Sequence, residues 1–320
     1  MNRCLLVTGA NGVLGQAIKK YIKDKSNKEF KKYVFLSSKD CDLTNDRKVK
    51  ILFKKINPSH IIHLAAKSGG IGVSKNNFQA TLLTDNLKMM VNILENSKNS
   101  KVKKVILTLS SGMYPPNAKM PFKENSIHHG EVERGSYGYF YAKRLMEPSI
   151  RAYRDQYNLD VIGLVPNGIY GENDKFDLDT SPMLPSLIKK IYKAKIDDSS
   201  VEVWGDGSPL REYTYANDLA KIYFWALKNY KSREILNIGS TEERSVKQIA
   251  YLISDIIKLN RKKIIFNKNK PNGIIKKNTS NYNFKKIKNF KYTKLKKGLK
   301  NTIEWYIKNY KTISKDQSRF

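Results

Sequence analysis

The sequence predicts an α/β fold, a doubly wound parallel sheet with a smaller mixed α/β lobe beside it. An apolar run at residues 4–7 leads directly into a glycine-rich turn and a helical pattern at residues 16–22. Short apolar runs and helical patterns then alternate as far as residue 165. This alternation is typical of parallel strands joined by crossover helices, with a ligand at the carboxyl ends of the strands.

The first turn has the composition of a dinucleotide-binding turn. Its glycines follow the pattern Gly-x-x-Gly-x-x-Gly between the first strand and the first helix. Glycine allows a tight turn and close approach to a pyrophosphate, whose charge the helix N-terminus stabilises. An ordinary strand-to-helix turn is the alternative, and we favour cofactor binding because the turn follows an N-terminal strand. The residues expected at the cofactor here are Gly9, Asn11, Gly12, Val13, Leu14 and Gly15.

The other elements of the first half follow in order. Strands are predicted at residues 33–36, 60–66, 105–109 and 160–165, and helices at residues 82–95 and 139–157. A last sheet strand is predicted to end at residues 237–239. No Pro/Ser-rich linker or internal repeat divides the chain, so the two lobes are expected to form one unit.

A candidate catalytic group follows the fourth predicted strand, where Ser110 and Ser111 stand. Tyr139 lies four residues before Lys143, which puts phenol and ammonium on one face of a helix. A nearby ammonium stabilises the phenolate and brings the pKa of the tyrosine closer to neutral. Tyr-x-x-x-Lys also arises by chance in a chain with 19 Tyr and 60 Lys+Arg. Beside a nucleotide-binding turn, the pair predicts proton delivery to a carbonyl oxygen.

These residues resemble the extended short-chain dehydrogenase/reductase family, and most closely its GDP-L-fucose synthase branch, which reduces GDP-4-keto-6-deoxy sugars. The stretches that carry the likeness are residues 64–67 with 69–71, 110–115, 139–143, 167–171 and 203–212. The last one, Trp-Gly-x-Gly-x-Pro-x-Arg-Glu, is the most specific to nucleotide-sugar enzymes. The resemblance implies a Rossmann-like NADP-binding domain of residues 1–165 with about 215–240. Residues 166–214 and 241–320 would then form the substrate lobe.

The resemblance also implies roles for individual residues. Ser110 would bind the keto oxygen, Tyr139 would donate the proton, and Lys143 would bind the nicotinamide ribose and lower the tyrosine pKa. Further cofactor contacts would come from Asp42, Leu43, Leu64, Ala65, Ala66, Leu109, Pro166, Asn167 and Ile169. The substrate would be held by Ser111, Gly112, Asn167, Lys190, Trp204 and Arg211.

Two of these substrate residues have a plain structural alternative. Trp204 could stack on a base or could be a core aromatic, and we favour stacking. Arg211 could pair with a diphosphate or with the neighbouring Glu212, and we favour the diphosphate.

Two departures from the family bear on activity. Fucose synthases also epimerise two ring carbons, using a cysteine and a histidine that correspond here to Gly112 and Pro182. Neither side chain can exchange a proton. His128 and His129 could supply a replacement acid, although a solvated loop pair is the favoured interpretation. His60 and His63 are interpreted as structural.

The end of the second strand favours NADP(H) over NAD(H). Ser37, Ser38 and Lys39 follow the strand, and the first acid is Asp40. Two hydroxyls and a cation suit a 2′-phosphate, whereas NAD sites usually carry an acid at this point.

Composition limits the remaining partners. The net charge of +31 suggests nucleic acid or lysine-rich surface, and we favour surface because no nucleic-acid-binding motif accompanies the charge. Two cysteines, no signal peptide and no apolar run of membrane-spanning length predict a cytoplasmic protein. No metal-ligand spacing is present, so no metal is expected. A homodimer is expected.

The sequence therefore predicts NADPH-dependent reduction of a GDP-linked 4-keto sugar, a 6-deoxyhexose or a heptose, for surface polysaccharide, without 3,5-epimerase activity. Three alternatives remain open. One is a bifunctional epimerase/reductase of the fucose synthase type, and another is a nucleotide-sugar 4-epimerase that retains NAD tightly. The third is a non-enzymatic nucleotide- or RNA-binding protein on the same fold.

Overall fold

The computed structural model describes residues 3–24, 29–68, 78–178 and 181–315. A glycine turn follows the first strand, and strands and helices then alternate through the first half. The elements are β1 (Cys4–Thr8), α1 (Val13–Asp24), β2 (Lys32–Leu36), α2 (Asp46–Ile56), β3 (His60–His63), α3 (Gln79–Lys98), β4 (Lys104–Thr108), α4 (Tyr137–Tyr157) and β5 (Val161–Val165).

The main sheet has six strands in the order β2-β1-β3-β4-β5-β9, where β9 is Leu236–Asn237. Every pairing in it is parallel. The chain moves to one side of β1 for β2 and to the other side for β3, so the strand order reverses there. Ligands of open α/β sheets bind at such a switch point, outside the carboxyl ends of the strands. The predicted fold class is confirmed.

Apolar side chains on both faces explain why this sheet is buried between two helical layers. All five residues of β1, of β4 and of β5 are buried. On one face, side chains of α2, α3 and α4 pack against the sheet. On the other face, α1 packs beside α6 (Ala216–Asn229). Continuous apolar strands covered by helices on both faces are the usual form of an all-parallel sheet.

The second lobe has its own core. Its strands are β6 (Gly168–Tyr170), β7 (Val201–Trp204), β8 (Leu210–Tyr215), β10 (Glu243–Ser245) and β11 (Ile264–Asn267), and its helices are α5 (Met183–Ile196), α7 (Val246–Ile257) and α9 (Leu295–Lys315). Strand β8 pairs with β6 on one side and β10 on the other. Leu187 of α5, Ile253 of α7 and Leu299 of α9 meet in one cluster.

Two parts of the fold differ from the sequence prediction. Helix α2 was not predicted; Asn45 caps it by accepting a hydrogen bond from Lys48 N at 3.0 Å. Helix α8 (Tyr282–Ile287) falls in the range predicted for the substrate lobe. Its Phe284 is instead wholly buried in the cluster that covers the main sheet, with Phe290 and Tyr292 beside it. That segment therefore packs on the first lobe.

Candidate active site

The glycine turn lies at the switch point of the sheet. Gly9 has φ +68°, and a Cβ there would lie 2.7 Å from Ala65 N, in the loop after β3. A Cβ on Gly15 would lie 2.6 Å from Gly9 O. Both glycines are therefore required by packing. Gly12 differs, because its Cβ would meet one atom, Gly9 O at 3.4 Å. The open side of Gly12 leaves room for a ligand to approach the backbone, which fits a pyrophosphate at the start of α1.

Of the three cofactor-binding residues predicted after β2, two are exposed to solvent. Ser37 donates from N and Oγ to Asp40 Oδ2, at 2.7 and 2.6 Å. These bonds lower the pKa of Asp40. Ser38 and Lys39 are exposed and flank this turn. Farther on, Asp42 accepts two hydrogen bonds from Thr44, and the buried Leu43 accepts one through its carbonyl from Asn92.

Ser110 stands where β4 runs into a short 3₁₀ turn (Ser111–Met113). Its hydroxyl oxygen accepts a hydrogen bond from Gly112 N at 3.2 Å. Ser111 N donates to Pro166 O at 3.3 Å, which ties the turn to the end of β5. The serine is thus fixed at the carboxyl end of the sheet, where the fold places ligands.

Tyr139 and Lys143 lie on α4, one turn apart and facing Ser110. Tyr139 lies close enough to Ser110 for the serine to act on its phenol, and burial raises the pKa of Tyr139 to about 12. Lys143 Nζ lies 5.8 Å from the centre of the Tyr139 ring and donates to Thr108 O at 2.7 Å. Burial lowers the pKa of Lys143 to about 7. The predicted lowering of the tyrosine pKa by this lysine is not observed in this geometry, because burial outweighs the opposing effect of Ser110.

The start of α4 is held against α3. Gly138 N donates to Gln79 Oε1 at 3.0 Å, and Gln79 Nε2 donates to Gly135 O at 3.1 Å. A Cβ on Gly138 would collide with Gln79 O. This contact places the first turn of α4, and with it Tyr139, over the end of β4.

The ring of Phe140 occupies the space in front of Gly112. A Cβ on Gly112 would overlap ring carbons Cε1 and Cδ1 of Phe140. Pro182 directly precedes α5, with φ −58°. Neither position carries an ionisable side chain.

Three of the four histidines have partners elsewhere, and His129 is exposed. His128 Nε2 lies 2.9 Å from Glu147 Oε2, a carboxylate that Arg151 also binds. His63 Nδ1 lies 2.9 Å from Thr8 Oγ1, and burial lowers the pKa of His63 to about 3. His60 lies beside Ser59, and burial lowers its pKa to about 4. His60 and His63 are therefore neutral and structural, and His128 is directed toward α4.

Trp204, at the end of β7, is not a core residue, since 46% of it is exposed. Its Nε1 donates to Glu202 Oε2 at 3.3 Å, and Lys270 Nζ lies 5.6 Å from its ring centre. Lys190 of α5 is half-buried and acts electrostatically on Glu202. An exposed indole flanked by lysines suits a stacked base with phosphate beside it.

Arg211 does not pair with Glu212. Its Nη1 donates to the carbonyls of Leu210 and Ile274, at 2.8 and 2.7 Å, and burial lowers its pKa. The two side chains point to opposite faces of β8, as adjacent residues of a strand do. Glu212 instead joins a buried network with Asn167 and Thr279.

Asn167 is committed to the fold through its side chain. Its Nδ2 donates to Glu212 Oε2 at 3.0 Å and to Ser240 O at 2.8 Å, and its Oδ1 accepts from Thr214 Oγ1. A ligand would therefore meet the backbone at Asn167. Of the other predicted contacts after β3 to β5, Leu109 and Pro166 are buried, while Leu64, Ala65, Ala66 and Ile169 are half-buried.

Two charged groups at this site were missed by sequence analysis. Lys277 Nζ lies 5.1 Å from the centre of the Phe140 ring; burial, assisted by repulsion from Arg211, lowers its pKa to about 8. Asp174 has a buried Oδ2 that meets no partner in the described structure, and burial raises its pKa to about 7. Tyr213 feels the charges of both Asp174 and Arg211. No motif marks Lys277, which reaches the site from a loop 66 positions after Arg211.

Together these side chains form a row along the segment after β11. Lys270 of this segment lies at Trp204, its Ile274 O binds Arg211, and its Lys277 lies at Phe140. The ring centre of Phe140 lies 5.6 Å from that of Tyr139. An aromatic face, then cations, then a proton donor is the order in which an elongated anionic ligand with a terminal carbonyl would be bound.

Among the described residues, no group of three or more His, Cys, Asp or Glu could hold a metal ion. Within the same ranges, the helices are too short or too polar to cross a membrane.

Comparison with known proteins decides the family. The sequence profile of the NAD dependent epimerase/dehydratase family matches residues 5–239. The chain belongs to this family. Among its relatives is the GDP-L-fucose synthase of Dictyostelium discoideum, which is 35% identical over 318 residues and aligned over 98% of each chain.

Solved structures of GDP-sugar enzymes share the fold over nearly the whole chain. A GDP-L-fucose synthetase from Naegleria fowleri bound to NADP superposes with a TM-score of 0.90 at 31% identity, covering 98% of this chain and 96% of that one. A GDP-6-OMe-4-keto-L-xylo-heptose reductase from C. jejuni gives a TM-score of 0.86 at 25% identity, covering 96% of this chain and 98% of that one. The family membership predicted from the motifs is confirmed.

Proposed function

We propose that the protein reduces the ketone of a GDP-linked 4-keto sugar with NADPH and does not epimerise the sugar ring. The observation that carries this proposal is the composition of the site around Ser110. The three residues suited to delivering a proton to a carbonyl oxygen are in place, whereas Gly112 and Pro182 offer no group that exchanges a proton.

NADP(H) suits the nucleotide-binding side of the site. The open face of Gly12 at the start of α1 would hold the pyrophosphate. Ser38 and Lys39 are free to meet a 2′-phosphate, while the acid Asp40 is bound by Ser37. The Naegleria fowleri structure was solved bound to NADP. When bound, the nicotinamide supplies the hydride.

The residues of the chain supply the proton and the orientation. Ser110 would hydrogen-bond the keto oxygen and so place it within reach of the Tyr139 hydroxyl. With a pKa raised to about 12, Tyr139 keeps its proton at neutral pH until negative charge develops on that oxygen. Lys143, below its pKa of about 7, would stabilise the phenolate left by this transfer.

The second lobe suits a nucleoside diphosphate. The exposed indole of Trp204 offers a face for the base, and Arg211 and Lys277 offer cations for the diphosphate. Relatives named for GDP-sugar chemistry, the Dictyostelium discoideum synthase and the C. jejuni heptose reductase, support GDP over other nucleotides. A 6-deoxyhexose or a heptose is the expected sugar.

The test is NADPH oxidation, followed by absorbance, with GDP-4-keto-6-deoxymannose and separately with a dTDP-linked 4-keto sugar. We expect turnover of the GDP sugar and a loss of about 100- to 10,000-fold in kcat for Tyr139→Phe. NADPH affinity should stay unchanged in that variant. No oxidation with the GDP sugar would contradict the proposal, and NAD retained by the purified protein would favour a 4-epimerase.

A further inference from the structure

The ring of Phe140 lies where a side chain on residue 112 would lie. The Gly112 Cα faces that ring so closely that an added Cβ would overlap Cε1 and Cδ1 and approach Cζ. Gly112 is buried, and it sits in the turn that carries Ser110. The glycine and the aromatic ring therefore depend on one another: with this ring in place, residue 112 has room for a hydrogen only.

The other neighbours of Phe140 place its ring inside the candidate active site. Its centre lies 5.6 Å from the centre of the Tyr139 ring, with 57° between the planes. Lys277 Nζ lies 5.1 Å from the same centre. The ring therefore neighbours both the proton donor and a cation assigned to the diphosphate, and the sugar of a nucleotide-sugar ligand joins those two parts. Phe140 is half-buried, so part of the ring remains accessible to a ligand.

We propose that Phe140 is a specificity-determining residue, which replaces the missing side chain at position 112 and forms the apolar wall of the sugar subsite. This inference rests on the proposed function. The C–H face of a sugar ring packs favourably on an aromatic face, and a phenyl ring has no proton to exchange with the sugar carbons. The same ring thus binds the sugar and excludes a proton-exchanging residue from position 112.

If Phe140 fills the space beside residue 112, substitutions at the two positions should have non-additive effects. Gly112→Ala should be strongly unfavourable while Phe140 is present, because ring carbons occupy the site of the new methyl group. Phe140→Ala removes those carbons. In the double variant Gly112→Ala/Phe140→Ala, most of the damage caused by the alanine at position 112 should therefore disappear.

The experiment compares the wild type, these three variants and Phe140→Leu. Tyr157→Ala is the matched control, an exposed tyrosine at the far end of the same helix, about 25 Å away. Melting temperature, NADPH affinity, and KM and kcat for GDP-4-keto-6-deoxymannose are measured. We expect Gly112→Ala to lower the melting temperature by about 4 °C relative to the wild type. In the Phe140→Ala background the same substitution should change it by less than about 1 °C.

Enzyme kinetics test the proposed contact between Phe140 and the sugar. Phe140→Ala should raise KM for the sugar nucleotide about tenfold, which corresponds to the loss of one apolar contact surface. Phe140→Leu should lie between it and the wild type, and NADPH affinity should not change. Tyr157→Ala should match the wild type in NADPH affinity, KM and kcat, and it should lower the melting temperature only through its lost contacts with Lys98 and Tyr153.

Two results would overturn the inference. One is an equal effect of Gly112→Ala on the melting temperature in both backgrounds, and the other is an unchanged sugar KM in Phe140→Ala. If the wild type reduces no GDP-linked ketone, the proposed function fails. The melting temperatures would then still decide whether Phe140 excludes a side chain at position 112.

Discussion

Burial acts on Tyr139 and Lys143 in opposite directions. It raises the pKa of the phenol to about 12 and lowers that of the ammonium to about 7. Each shift disfavours the charged form, as expected for groups removed from water. The tyrosine therefore holds its proton over the whole physiological range, and the lysine is the member of the pair that titrates near neutrality.

The lysine predicts the pH dependence of reduction. Because the protonated ammonium is the form that stabilises the phenolate, kcat/KM should be highest below about pH 7. It should fall tenfold per pH unit above that value, since the ammonium is then lost. Tyr139 should add no break below about pH 10, because its own pKa is about 12. The measurement is NADPH oxidation from pH 5.5 to 9.5.

A guanidinium provides the control for this profile. Lys143→Arg keeps its charge over the whole range, so a slower profile is expected that lacks the fall near pH 7 and retains only the loss of Lys277, whose pKa is about 8. A wild-type profile that stays level to pH 9 would contradict the role assigned to Lys143.

At the scale of elements, strand β8 separates binding from structure by its two faces. Arg211 points to the ligand side, where Lys277 also lies, while Glu212 and Thr214 point to Asn167 on the other side. The period of two along a strand accounts for this division. A substitution on one face should change substrate binding and one on the other face should change stability.

The ligand face of β8 predicts a change in KM. Removing a charged hydrogen-bonding group from a phosphate costs about 1.5–3 kcal/mol, so Arg211→Ala should raise KM for the GDP sugar by about 10- to 100-fold. Its kcat should change little. Lys277→Ala should have the same effect on KM, and steady-state kinetics measure both variants. Arg233→Ala, which removes an exposed arginine paired with Asp155, is the matched control. Equal effects of the Arg211 and Arg233 substitutions would refute the diphosphate assignment.

The opposite face of β8 predicts a change in stability. Asn167→Ala would leave the buried Thr214 hydroxyl proton and Ser240 O without a partner, and it would remove one of the three hydrogen bonds accepted by Glu212 Oε2. We expect the free energy of unfolding to fall by about 3 kcal/mol, measured by urea denaturation. Asn229→Ala removes an exposed amide that bonds Trp225 O, and it should cost less than about 0.5 kcal/mol. A loss of the same size in both variants would contradict the network.

The sequence was sufficient for local features and insufficient for distant ones. Apolar runs and the glycine turn predicted β1 to β5, because strands buried on both faces are apolar throughout. The hydrogen-bond partners of Arg211 could not be predicted from the sequence. Adjacent residues of a strand point to opposite faces, and both partners of Arg211 are backbone carbonyls. Lys277 and Phe140 acquire their roles only through tertiary contact, and no periodicity marks either of them.

At the scale of the whole molecule, the basic C-terminal part of the chain supplies cations to the candidate active site. Residues 256–303 contain no Asp or Glu. In the structure this stretch supplies Lys270 at Trp204 and Lys277 beside Arg211. Part of the net charge of +31 is thereby directed at the ligand row of the site, where it would attract a doubly charged nucleotide sugar.

The two lobes divide the proposed reaction between them. The first lobe carries Ser110 after β4 and Tyr139 and Lys143 on α4, and the second lobe carries Trp204 and Arg211. Phe140 and Lys277 meet where the two sets adjoin. This arrangement brings a nucleotide-linked ketone to the proton donor, and the carbons on either side of that ketone meet neither a cysteine at position 112 nor a histidine at position 182.

The most direct test is to reduce GDP-4-keto-6-deoxymannose with NADPH in deuterated water, with this protein alone and with a separate 3,5-epimerase added. The account predicts that the protein alone oxidises NADPH and gives a product without deuterium at C3 or C5. The added epimerase should introduce deuterium at both carbons. Deuterium at C3 or C5 with this protein alone would contradict the claim that the site reduces the ketone without epimerising the ring.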